Sequence, residues 1–300
     1  MVDASFQAEY LTSARAERRR YALSRVAIYS FLCFFALIYL LPLIVIVANS
    51  FRSLPEITQN GLIAFPRSFT FGAWSNAWAH YCVAGTCQGV QRNFYNSLAM
   101  TIPATLISTL LGAINGYVLS KWRFRGSEFL FACVTLGVFM PGQVALMPWA
   151  YILGRLHLSN TVYGLILVHC IQGLSFTTLF CRNYYINIPD DLIKAARIDG
   201  AGFWRILTKI VLPLSPPILI VTVIWQFTGI WNEYLFGVVF TGGREQPITA
   251  SVVALATTVM NAKAYDVTSA AVLIAAVPPL LIYFVGGKYF VRGLTQGAVK

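Results

Sequence analysis

The sequence predicts an all-α membrane protein with six transmembrane helices, and three observations predict it. Hydrophobic residues make up 57% of the 300-residue chain and charged residues only 11%, against about 25% charged in an ordinary soluble domain. Six runs carry no charge, at 26–48, 96–120, 129–154, 156–181, 210–232 and 267–287. Each reaches the ~20 residues that a helix needs to cross a hydrocarbon core. Lys and Arg then sort by side. Sixteen of the 22 fall in the two ends and in the connections after the second and fourth runs, and six fall elsewhere. By the positive-inside rule the basic side is cytoplasmic, and both termini lie there.

The elements follow in chain order. Residues 1–25 are a basic cytoplasmic tail, and 26–287 are one transmembrane unit. No signal-peptide cleavage pattern precedes the first run, so that run is read as a retained span. Residues 49–95 form a long outer loop. It holds Cys82 and Cys87, in CVAGTC, on the side where disulfides persist, and a small disulfide loop is expected there. Cys33, Cys133, Cys170 and Cys181 fall in spans, where a thiol acts as a small hydrophobe. A tight turn near Gly154–Asn160 separates the third and fourth spans. The basic connection 182–209 precedes the fifth. Pro247–Ala262 is uncharged but short and rich in Ala, Ser and Thr, which fits an interfacial or re-entrant helix. In the tail, 288–300, and just before it, Gly286, Gly287, Gly293 and Gly297 favour a looped end. The pair Pro216–Pro217 predicts a kink near the start of the fifth span.

The net charge of +11 is accounted for by this topology, with some attraction to anionic lipid. It does not indicate a nucleic-acid partner. The chain has no phosphate-binding glycine loop, no H-E-x-x-H and no C-x-x-C, the motifs that hold nucleotides or metals. His80, His157 and His169 are scattered, and no nucleophile–base set exists. The chain is therefore read as no enzyme, binding no metal and no cofactor of its own. Glu128, Glu233 and Asp266 lie only at span edges. Carriers driven by protons or sodium ions use ionisable groups inside the membrane, so energy for pumping is expected to come from another subunit. Asn115, Gln143, Gln172 and Gln226 are read as helix–helix hydrogen-bonding residues, and His169 as a hydrogen-bonded packing residue.

The most charged interior segment is KAARIDGAGFWRILTKIVLPLSPP, Lys194–Pro217. Asp190 and Asp191, after Pro189, suit a helix start. Leu192 to Ile198 reads as a short helix, closed at Asp199-Gly200, where Gly accepts the left-handed turn. A second helix begins near Ala201. Phe203, Ile206, Leu207 and Ile210 share one face, with Arg205 and Lys209 on another. It runs into the fifth span through Pro213. Periodicity by itself favours an amphipathic helix on the bilayer surface.

Motif order adds to this. Ala195, Ala196, Asp199, Gly200, Ala201, Ile210, Leu212 and Pro213 match, in order and spacing, the E-A-A-x-x-D-G-A…I-x-L-P loop of ABC-importer permease subunits. Met140–Leu167, WNEYLF (Trp231–Phe236) and KYFVRGLTQGAVK (Lys288–Lys300) resemble further segments of the maltose-type carbohydrate-uptake branch, in its shorter, six-span partner. The resemblance implies the type I ABC-importer fold, with a cytoplasmic coupling helix between spans 4 and 5. It implies docking to a separate ATPase through Asp190, Asp191, Lys194, Ala195, Ala196, Arg197, Asp199, Gly200, Ala201, Phe203 and Arg205. ATP and Mg would be used by that ATPase. The implied partners are a second, homologous permease, two ATPase subunits and a periplasmic sugar-binding protein. Lys194 stands where the pattern has Glu, so the usual acidic contact is absent; Asp190 and Asp191, one turn earlier, are candidates to replace it. The Cys-flanked loop resembles glucose/mannose-type members, which implies a monosaccharide or small glycoside.

Sugar is bound by aromatic faces and by amides or carboxylates. Trp225, Gln226, Trp231, Asn232 and Glu233 supply both near the outer half of the fifth span. For Trp231 an interfacial aromatic belt is an equal reading. The alternatives from other classes are an ATP-independent carrier or channel, and a membrane scaffold.

Overall fold

The computed structural model describes residues 4–82, 87–257 and 264–298, with backbone alone at 4–20, 22–23 and 288–298. α1 (Ala4–Ser50) carries the first span at Ser24–Ser50. The outer loop holds α2 (Leu54–Asn60) and α3 (Gly72–Ser75), the latter continued by a π-helical turn at Asn76–His80. α4 (Gln91–Lys121) is the second span. α5 (Ser127–Phe139) leads through a 3-10 turn at Gly142–Ala145 into α6 (Leu146–Arg155). α7 (Val162–Tyr185) is the fourth span. The basic connection folds as α8 (Asp190–Ile198) and α9 (Phe203–Ile206), the latter followed by a π-helical turn at Leu207–Val211. α10 (Pro216–Asn232) is the fifth span, α11 (Leu235–Phe240) and α12 (Ile248–Thr257) follow it, and α13 (Tyr265–Ala298) contains the sixth.

Among the described residues four helices are long and apolar enough to cross a membrane, and two bent pairs bring the number to six. The bends correct the sequence reading of continuous third and fifth spans. The third is broken at Pro141, with Ser127–Phe139 and Gly142–Arg155 at 101°. The fifth does not run on from the basic connection: Phe203–Val211 and Pro216–Asn232 meet at 89°. Pro216 and Pro217 open α10, where a missing N–H costs nothing, so the bend expected near them falls just before the helix that they start. The tail also differs from expectation. α13 continues through Gly286 and Gly287 to Ala298 with no loop. At the other end α1 begins at Ala4, so the basic N-terminal segment is the start of the first rod. Lys263, Lys300 and the end of the 247–262 stretch lie outside the described residues.

Lipid tails are as apolar as leucine, so helices in a membrane associate through close packing of small residues and through hydrogen bonds. α4 meets this requirement with Ala104, Ser108, Gly112, Gly116 and Ser120, four apart and all buried. The stripe lies against α7. The Thr177 hydroxyl donates to the Ser108 carbonyl at 2.8 Å. A Cβ at Gly112 would collide with Thr177, and one at Gly116 would stand 2.7 Å from the Arg182 nitrogen and the Cys181 Cβ. By contrast, the first span is exposed as far as Ile44, is partly covered from Val45, and is buried at Asn49 and Ser50. Its outer end is tied down by Arg52, fully buried, which pairs with Glu56 at 3.1 Å and donates to Asn49 and to the Gly61 carbonyl.

Gly116→Leu is expected to destabilise the detergent-extracted protein by about 1–3 kcal/mol, the usual cost of overpacking. Gly229→Ala, where a Cβ meets nothing within 4 Å, is expected to leave the melting temperature unchanged. Thermal unfolding of the two variants checks this.

Candidate functional site

The helix–glycine–helix segment is fastened to the spans from within. Ile193, Ile206, Leu207 and Val211 are buried in one cluster with Ala113 and Tyr117 of α4 and Cys181 and Tyr185 of α7. Phe203 packs on Tyr117 at 5.0 Å and edge-on against Trp122 at 5.4 Å. α8 starts at Asp190, closer to Pro189 than the sequence reading placed it. Gly200 takes φ +75, and the Ala201 nitrogen returns to the Ala196 carbonyl at 2.9 Å. Those bonds close the helix and turn the chain into α9.

Two basic side chains, Lys121 and Arg197, clamp the segment, and a third, Arg182, ties α7 to α4 and α5 beside it. Lys121, at the end of α4, donates to the Ile186 and Ile188 carbonyls and to Asp190 at 2.6 Å. Arg197 lies 4.4 Å over the Trp122 ring and donates to the Lys121 carbonyl. Arg182 pairs with Glu128 at 2.8 Å, donates to the Leu119 carbonyl and sits 3.7 Å over the Phe131 ring. Asp190 is thus paired within the chain, with its side chain still 69% exposed. Lys194 meets Asp191 at 3.2 Å, with both side chains largely in solvent, a pairing worth little. Ala195, Asp199 and Arg205 are exposed, and Ala196, Ala201 and Phe203 are partly covered.

Residues that the motif did not single out complete the outward surface. Leu192 is 47% exposed, Ile198 86% and Trp204 64%. These three apolar side chains stand clear of a buried base. Helical spacing did not mark them, because they lie off the face that the core claims.

Residues 108–296 match the family model described as the inner membrane component of binding-protein-dependent transport systems. The chain belongs to that family. The permease is 46% identical over 188 residues to a probable ABC transporter permease of Pyrococcus horikoshii, covering 62% of this chain and 67% of that one. It is 29% identical to the diacetylchitobiose uptake permease NgcG of Streptomyces coelicolor, over 96% and 92% of the two chains. It is also 30% identical to the arabinooligosaccharide transport permease AraQ of Halalkalibacterium halodurans, over 89% and 93%. Its fold superposes with a TM-score of 0.76 on a chain of a bacterial ABC transporter for alginate import, at 22% identity and over 92% and 98% of the chains. The type I importer fold expected from the sequence is therefore present.

At the outer end of the permease the five candidate sugar contacts separate. Trp231 is fully buried, donates to the Ala275 carbonyl at 2.9 Å and packs on Phe94 and Phe227; it is a core residue rather than part of a belt. Glu233 caps α11, its carboxylate accepting from the Phe236 nitrogen at 2.8 Å and from Gly237. Gln226 is buried in the notch left by Gly173. Trp225, stacked on Phe176, and Asn232 are exposed. His169 is buried beside Phe236, and its Nε2 has no hydrogen-bond partner, unlike the bonded residue expected. Cys82 and Cys87 are joined as a disulfide. Among the described residues no group of His, Cys, Asp or Glu is placed to hold a metal ion.

The Asp190 carboxyl is held below its usual range, chiefly by the hydrogen bond from Lys121 and next by that lysine's charge. A depressed carboxylate stabilises the fold above its unfolded value and loses that contribution as pH falls through the folded value. Amide exchange in α8, corrected for its intrinsic rate, is expected to quicken in acid below the ordinary carboxylate range, about pH 4. Asp190→Asn is expected to raise exchange a few-fold at neutral pH and to flatten that acid limb. Asp191→Asn is expected to do neither.

Proposed function

We propose that this permease is one of two homologous membrane subunits of an ATP-driven importer that moves a sugar across the inner membrane. A monosaccharide or small glycoside is the substrate, and a periplasmic binding protein delivers it. Both termini face the cytoplasm. The observation that carries the reading is the seat of α8 and α9: their inner faces belong to the core of α4 and α7, while Leu192, Ile198 and Trp204 remain uncovered. Such a segment transmits motion of a docked partner to the spans as a rigid unit. The named sugar-uptake relatives support the choice of substrate class.

The chemistry then lies in trans. Two ATPase subunits hold ATP and Mg and close on them. Their closure pushes on α8 and α9, and the spans move from inward- to outward-facing. Sugar enters from the binding protein, and hydrolysis resets the bundle. Trp225 and Asn232 are the candidates on this chain for contact with the sugar, since both are exposed.

ATP hydrolysis by the purified complex, with its binding protein and a panel of sugars, tests the reading. Stimulation by one sugar is expected, by tenfold or more loss of which Gly200→Arg is recognised. No atom lies within 4 Å of a Cβ at Gly200, but φ of +75 there strains any side chain, so the variant disturbs the loop and spares the spans. A chain that purifies with no ATPase, or hydrolysis indifferent to every sugar, contradicts the proposal.

A further inference from the structure

A cleft of about 510 Å³ opens beside the coupling segment, on a different face from Leu192 and Ile198. One wall is the end of α4 and the residues after it, Lys121, Trp122 and Arg123; the other is Asp190, Lys194 and Arg197 of α8. Four cations thus face one carboxylate, a net of three positive charges. Lys121 and Asp190 neutralise one another. Arg123 uses only Nε, on the Ser120 carbonyl, and Arg197 one terminal nitrogen, on the Lys121 carbonyl. Among the described residues the other donors of both forks have no hydrogen-bond acceptor. Lys194 pairs with Asp191 in solvent and adds its charge to the field at Asp190.

Two guanidinium forks and an ammonium around one cleft match the oxygens of a phosphate, which arginine takes bidentately. The depth of the cleft selects the source. Lys121 ends a 31-residue apolar helix, so on the basic side of the topology adopted above the cleft lies at the headgroup layer. Trp122 stands at the same level, where indole rings favour the interface. With Glu in place of Lys194, as in the motif, the net charge would fall to one. The departure at this position therefore makes the cleft strongly cationic.

We infer that this cleft binds the phosphodiester of an anionic phospholipid headgroup, with Arg123, Lys194 and Arg197 as its donors. The inference concerns lipid and stands apart from which solute is carried. The test is native mass spectrometry of the intact complex, delipidated in mild detergent and titrated with phosphatidylglycerol or phosphatidylcholine of the same acyl chains. Retention of phosphatidylglycerol about tenfold better than phosphatidylcholine is expected, as near-surface basic residues each favour anionic lipid. Arg123→Gln with Lys194→Glu is expected to remove the preference, while Arg125→Gln, an exposed charge in the same loop outside the cleft, retains it. Equal retention of the two lipids overturns the inference, as does a double variant that keeps the preference. Binding of inorganic phosphate with no lipid preference overturns the lipid assignment in favour of a soluble phosphate. Loss of the ATPase subunits from the double variant, with lipid retention unchanged, assigns these side chains to the partner and also overturns it. Unfolding of the double variant alone is separated from loss of the site by Lys194→Gln, which loses only a solvent-exposed pairing of little worth and is expected to weaken phosphatidylglycerol retention at an unchanged melting temperature; unchanged retention there counts against the inference.

Discussion

The close approach of α4 and α7 is the constraint on which the rest of the molecule depends. In lipid there is no hydrophobic gain in bringing two apolar helices together, so contact must come from packing and from hydrogen bonds. The small residues from Ala104 to Ser120 let the backbones meet. Only then do the inner ends of the helices come within reach of each other. Arg182 of α7 finds Glu128 and the Leu119 carbonyl, and Lys121 of α4 finds the carbonyls that follow α7. A side chain larger than hydrogen at Gly112 or Gly116 would part the helices and withdraw both clamps.

Those clamps decide where the helix–glycine–helix segment sits. α8 is held by Lys121 and Arg197, and α9 by Phe203 and Ile206 against Tyr117 and its neighbours. The chain then turns sharply before α10. The Ser215 hydroxyl donates to the Val211 carbonyl, and the Tyr184 hydroxyl to the Leu214 carbonyl at 2.9 Å. Polar groups freed at the break are thus met by α7 and by the segment itself, as a break at the membrane boundary requires. The segment, α4 and α7 form one body, and α10 leaves it at a steep angle.

The outer end of the same helix, α4, holds a second loop. Arg92 pairs with Glu245 at 3.1 Å, and Asn93 and Asn96 donate to the Gln246 and Arg244 carbonyls. Ser97 accepts from the Ile248 nitrogen. One helix therefore braces the connection after α11 at one end and the helix–glycine–helix segment at the other. A displacement of α8 has a continuous covalent rod through which to reach the outer loop.

The sequence by itself determined the spans, the side on which charge accumulates, and the helix–glycine–helix form of the basic connection. Each follows from local or compositional physics: a hydrocarbon core demands about 20 apolar residues, and a left-handed turn at Gly200 demands glycine. Tertiary structure decided the rest. Hydropathy carries no direction, so the bend at Pro141 was invisible in a continuous apolar run, and the prolines at 216 and 217 marked a bend without its angle. Trp231 and Glu233 have the composition of a sugar site, yet neighbours distant in the chain make one a core residue, while two residues of α11 make the other a helix cap. Lys121 and Asp190 are 69 positions apart, and no spacing rule pairs them. Their meeting, and the cationic cleft beside it, exist only because α4 and α7 pack closely enough to bring the two ends to one place.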